Sequence, residues 1–172
     1  MAHPKRSIDG HLDEWLRDAH AMEEQASTML AAMARRLEPY PDLKQRIEQH
    51  LGETREQLRL IRECIGRRGS EVSALKDLGA RGLAALQGFA GMLAADEVVK
   101  GVIACHAFEN FEIATYRALI TAARMVGNVE TITVCERILP QEVAMANWLE
   151  QHLPQVVSAF LARNPERAAA SR

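Results

Sequence analysis

Leu12, Leu16, Ala19, Glu23, Ala26, Leu30, Met33 and Leu37 follow one another at alternating steps of four and three. That spacing marks a single stripe of an α-helix, the stripe that turns toward a core. Every member is apolar except Glu23. A carboxylate taken out of water without a partner costs several kcal/mol, so the fold must bring a proton, a cation or a metal ion to it.

The same conflict recurs further along. Val98, Val102, Cys105, Glu109, Glu112, Tyr116, Leu119 and Ala123 form a second such stripe, and Ile132, Cys135, Leu139, Glu142, Ala146, Leu149 and Leu153 a third. Another helix, from about Leu43 to Cys64, carries Ile47, Leu51, Leu58, Ile61 and Ile65 on one face. His50, Glu53, Thr54 and Gln57 make a polar patch beside or within that face, at the middle of the helix. Ala, Leu, Glu, Gln, Arg and Met dominate and glycine is scarce in these segments, an all-α composition.

Punctuation divides the chain. The first helix begins near Ser7, Asp9 or Gly10 and stops at Glu38-Pro39-Tyr40-Pro41-Asp42, where the prolines remove backbone donors. Asp42 is expected to cap the second, which ends at Gly66-Arg67-Arg68-Gly69. From Ser70 to Ala95, four glycines (Gly79, Gly82, Gly88 and Gly91) interrupt an Ala- and Leu-rich connector that reads as two short helices. Asp96 should cap the third long helix, which stops at Gly127-Asn128. The fourth is expected to run to His152, bending at Pro140 and ending at Pro154, with a short apolar turn (Val156, Val157, Phe160, Leu161) beyond it. The organisation expected is a flexible leader over 1–9, one helical domain over 10–162 and a polar tail over 163–172.

A formal charge of -2 with 26% charged residues of mixed sign offers no basic stripe for nucleic acid and no polybasic patch for lipid. No apolar run reaches about 18 residues, and the first residues lead into no signal-peptide core, which points to the cytoplasm. Cys64, Cys105 and Cys135 lie on apolar faces without paired spacing and read as reduced, packed thiols. Met22, Met29, Met33 and Met145 read as core filler; Trp15 and Trp148 fit a core or a dimer interface equally well.

The glutamates are placed to meet. Glu38, at the Pro-Tyr-Pro turn, stands midway between Glu23 and Glu53; the midpoint of Glu109 and Glu142 falls between Met125 and Val126, just before Gly127-Asn128. In two antiparallel hairpins each pair therefore matches in height, roughly 22–25 Å from its turn. If the long connector travels the length of the bundle, the two turns fall at opposite ends and both pairs fall near the middle. Glu23, Glu53, Glu109, Glu112 and Glu142 then share a layer into which no seam position sends Lys or Arg, and His50 is the nearest cation or nitrogen ligand. Two divalent ions would balance four of those charges. Hard oxygen donors with one imidazole suit iron or manganese better than zinc, the logic of carboxylate-bridged di-metal bundles. For any single glutamate the alternative is a carboxylate at the stripe's edge that snorkels to solvent; for the set it is a protonated or hydrogen-bonded cluster.

Four segments carry a resemblance. Asp18 to Gln25, His50 to Gln57, Glu109 to Tyr116 and Gln141 to Leu149 resemble, in order and over about residues 10–155, the bacterial YciE/YciF-type stress-response family, a ferritin-like domain of unknown function. The resemblance implies a ferritin-like four-helix bundle with a long crossover connection, a homodimer, a stress association and a di-iron site. By motif it places Glu23, Glu53, Glu109, Glu112 and Glu142 at the family's core acidic positions and His50 at its His-x-x-Glu histidine. Gln141 stands where the family often has a second acid, and Asn110 where it often has histidine. Glu56 and Met145 occupy the histidine positions of the wider class's Glu-x-x-His motifs, so the site should be poor in nitrogen ligands.

Two functions remain open at this stage. In the first, two iron ions, with manganese as the alternative, react with dioxygen or peroxide; Glu23, Glu109 and either His50 or Glu112 are terminal ligands, and Glu53 and Glu142 bridge. In the second, a metal-free or structurally metallated bundle serves as a binding or scaffold protein. His20 and His106, each three residues before a core glutamate, and Tyr116, one turn after Glu112, are either supports of the site or ordinary packed residues. Thr54 and Gln57 are candidates to orient Glu53.

Overall fold

A computed structural model describes residues 7–69 and 98–163, which form four helices and no strand. These are α1 (Ile8–Ala34), α2 (Pro41–Arg67), α3 (Val98–Met125) and α4 (Val129–Arg163). The expected short helices of the connector, the Asp96 cap, residues 1–6 of the leader and residues 164–172 of the tail lie outside the described residues.

Local chemistry sets the helix ends. Ser7 caps α1, its hydroxyl accepting from the Gly10 amide at 3.1 Å. Asp42 does not cap α2. The cap residue is Tyr40, and Pro41 takes the first helical position, where its missing N–H costs nothing and its fixed φ fits the helix. Gly127, at φ 70°, ends α3 with its amide on the Arg124 carbonyl at 3.2 Å while the Asn128 amide reaches Ala123 at 2.9 Å. Asn128 at once becomes the cap of α4, its side-chain oxygen accepting from the Thr131 amide at 2.9 Å.

Pro154 does not end α4, which continues through both Pro140 and Pro154 to Arg163. Leu149, Leu153 and Val156 prolong the stripe that packs on the first half of α2, and that burial outweighs the local loss of a backbone hydrogen bond.

α1 and α2 form one hairpin, α3 and α4 the other; α1 packs on α3 and α2 on α4. The start of α1 (Leu12, Leu16) shares a cluster with the end of α3 (Leu119, Ala123), the end of α2 (Ile61, Ile65) and the start of α4 (Cys135, Ile138). A second cluster joins Leu30 and Met33 to Leu43 and Ile47, to Val102 and Cys105, and to Met145 and Leu149. Neighbouring helices are therefore antiparallel throughout, the two hairpin turns lie at opposite ends, and the chain between α2 and α3 joins opposite ends of the bundle. That is the ferritin-like connectivity. Between the two apolar clusters, at mid-height, lies a polar layer.

Candidate metal centre

Every helix contributes to this layer. Glu23 of α1, His50, Thr54 and Gln57 of α2, Glu109 and Glu112 of α3, and Glu142 of α4 are each at most 1% exposed. The methionines expected as filler are also buried, whereas Trp15 is 40% exposed and Trp148 is half-buried, stacked on His152.

Four of the six expected ligands converge. One ligating atom each from His50, Glu109, Glu112 and Glu142 lies within 4.8 Å of the others. His50 is the hub: Nε2 stands 3.1 Å from Glu109 Oε2 and 3.5 Å from Glu142 Oε2, while Nδ1 contacts Glu53 Oε2 at 2.8 Å. Glu23 lies beside the group and accepts from the Tyr116 hydroxyl. Glu53 stands apart, its side chain 22% exposed, and also accepts from Gln49 Nε2 at 2.9 Å and Arg46 Nη1 at 3.4 Å.

The α2 stripe explains that placement. Ile47, His50, Thr54, Gln57, Ile61 and Cys64 repeat at steps of three and four, so the polar patch is the middle of the buried stripe and Glu53 falls one residue off it. Counting only apolar residues hid a pattern that the spacing itself carries.

Supporting contacts also differ from expectation. Gln57 does not orient Glu53; its amide donates to Glu142 and to Gln141 Oε1, the latter at 3.0 Å. Thr54 bonds the His50 carbonyl at 3.0 Å. His106 accompanies the Ala146 carbonyl and Asn110, and His20 lies between Arg62 and Glu24, so both histidines have partners outside the layer. Cys105, read as a packed thiol, is buried and also donates to Glu109 Oε1 at 3.5 Å, a contact its position four residues earlier on one helix could have announced. Arg46 and Gln49 were not singled out; their spacing of seven and four before Glu53 was the available signal.

Burial and mutual repulsion control the protons here. Burial pushes the carboxyl of Glu109 up to about 7 against the pull of His50, and burial with neighbouring carboxylates pushes Glu23 and Glu112 well above the ordinary range. For His50 burial works against the charged ring, but the Glu109 charge and the contacts with Glu109, Glu142 and Glu53 prevail and raise it to about 12. The His50 contact leads in lowering Glu53 to about 2. Burial holds the Tyr116 phenol and the Cys105 thiol protonated.

Glu109 Oε2 and Glu142 Oε2 face the His50 ring off the line of a hydrogen bond, and Glu23 Oε2 and Glu112 Oε2 have no aligned donor among the described residues. Three buried carboxyl groups converging with one imidazole, and Glu23 beside them, are a donor set that fits hard divalent metal ions.

The chain resembles three solved structures. A protein from Xanthomonas campestris pv. campestris str. ATCC 33913 is 41% identical, with a TM-score of 0.77 over 92% of this chain and 99% of that one. The E. coli stress protein YciF is 22% identical, with a TM-score of 0.71 over 89% and 98%. YcfI from Rhodopseudomonas palustris is 24% identical, with a TM-score of 0.68 over 87% and 97%, and like YciF it speaks for the fold. The model of the domain of unknown function DUF892 matches residues 7–162, and with the four helices and their motifs in place, the chain belongs to that family, the YciE/YciF type.

Proposed function

We propose that this chain is a di-metal bundle, iron preferred and manganese the alternative, that reacts with dioxygen or peroxide under stress. The observation that carries the reading is the convergence of one ligating atom each from the buried His50, Glu109, Glu112 and Glu142 within 4.8 Å, with Glu23 beside them. Carboxyl groups crowded together out of water cost several kcal/mol unless protons or cations compensate them, and metal ions would do so.

His50, Glu109, Glu112 and Glu142 would hold the ions, with Glu23 the next carboxylate at hand. When bound, reduced metal ions held there would supply the electron-transfer chemistry that reduction of oxygen or peroxide requires. The protein's part is to hold the ligands: Tyr116 fixes Glu23, Gln57 fixes Glu142 and Cys105 turns toward Glu109. The apolar clusters above and below keep bulk water from the layer. The stress association rests on the family and on the name of the E. coli relative. The reading is completed by a homodimer in the cytoplasm; the exposed Trp15, Phe111 and Met125 favour a pairing surface, and among the described residues no helix is long and apolar enough to cross a membrane.

A second reading, a binding or scaffold bundle without redox chemistry, is favoured by one observation: His50 already serves Glu53, Glu109 and Glu142 as a cation. Elemental analysis of protein purified without chelator separates the two. About two iron or manganese ions per chain, lost in Glu142→Gln, are expected; no metal above background after anaerobic addition of ferrous ion would leave the scaffold reading.

A further inference from the structure

Glu53 belongs by motif with the ligands, yet its position argues for different work. Its carboxylate takes Nδ1 of His50 at 2.8 Å, while Nε2 of the same ring faces Glu109 and Glu142 at 3.1 and 3.5 Å. The two ring nitrogens thus look in opposite directions, one toward the converging ligands and one toward Glu53. Three α2 side chains hold Glu53 outward: His50 and Gln49 within 3 Å, and Arg46 at 3.4 Å. A metal-binding histidine commonly gives its second N–H to a carboxylate, which fixes both tautomer and ring orientation.

We propose that Glu53 is a positioning residue and not a metal ligand: it accepts Nδ1–H of His50 and so presents the Nε2 lone pair to a metal held with Glu109, Glu112 and Glu142. The inference rests on the metal-site reading of the previous section. Arg46 and Gln49 extend the device by occupying the remaining acceptor capacity of Glu53. The site's single imidazole is then oriented entirely from its own helix, by residues four before, one before and three after it.

The test uses the full chain, stripped with chelator and titrated with zinc, a diamagnetic probe, in the native protein, Glu53→Gln and Glu53→Ala. Stoichiometry and affinity are read by competition with a chromophoric chelator, and the tautomer by ¹⁵N NMR of histidine-labelled protein. The native zinc form should show a protonated Nδ1 and a metal-shifted Nε2 for His50. Glu53→Gln, whose amide oxygen still accepts, should keep the native stoichiometry and tautomer. Glu53→Ala should keep the stoichiometry, bind about 10–100-fold more weakly and lose the fixed tautomer. Loss of a zinc ion per chain in Glu53→Gln would overturn the proposal by making Glu53 a ligand. Unchanged affinity and tautomer in Glu53→Ala would overturn it by removing any orienting role. Absence of zinc binding in the native chain, with His50 unshifted, would instead overturn the metal-site reading and this inference with it.

Discussion

Tyr116 and Glu23 show how a residue's burial was legible while its partner was not. The four-three repeats put Glu23, Glu109, Glu112 and Glu142 on inward stripes, and all four are at most 1% exposed. Periodicity names the face a side chain takes, not the neighbour it meets, and the Tyr116 hydroxyl on Glu23 joins residues 93 positions apart on different helices. The partial exposure of Glu53 was not legible for a related reason, since His50, Thr54 and Gln57 carry the buried stripe and polar residues do not advertise burial. Replacing Tyr116 by phenylalanine keeps the ring's packing and strands a buried carboxyl. Urea unfolding of the metal-free protein should show a loss of about 1–3 kcal/mol; a change below about 0.5 kcal/mol would mean that the hydroxyl contributes nothing net.

At the scale of the helix, rules about proline and glycine read the chain unevenly. Gly127-Asn128 ends α3 as expected, glycine supplying the positive φ, and asparagine in addition caps α4. The end of α4 was misread because a local rule was applied where a tertiary contact governs. Pro154 removes one intrahelical donor, yet Val156 beyond it is 7% exposed and packs with Leu43 and Ile47. The proline is exposed and the helix continuous, so Pro154→Ala restores the donor without disturbing the core. Thermal unfolding should report a gain of about 1–2 kcal/mol, and a destabilised variant would show that proline shapes the end of the bundle rather than merely being tolerated.

For the whole molecule, the heights of the glutamate pairs and the length of the connector were enough to place the two hairpin turns at opposite ends. The sequence left open which helices touch, because several pairings share those heights. The layer also gives the metal-free protein a defined response to pH. Glu109, raised from 4.5 to about 7, and His50, raised from 6.5 to about 12, bind protons more tightly when folded. Their contributions are complete below pH 4.5 and 6.5 respectively and are lost as pH climbs through about 7 and on toward 12. Glu53, lowered from 4.5 to about 2, contributes fully above 4.5 and loses that contribution as pH falls toward 2. The chelated protein should therefore lose stability between about pH 5 and pH 9, whereas the metal-loaded protein should not, since metal and protons compete for the same oxygens. Urea midpoints across that range check this, and a chelated protein that gains stability toward pH 9 would show that the buried carboxyls are not protonated. The same layer keeps time along the bundle axis. A helix that slips by one turn, about 5.4 Å, carries its carboxylate out of the layer and against leucine, isoleucine or methionine of a neighbouring cluster. An unbroken apolar seam would pass over such a slip; this one resists each at several kcal/mol. The glutamates act as a detent, setting the axial position of all four helices before any ion arrives, so accurate assembly and a place for metal come from the same residues.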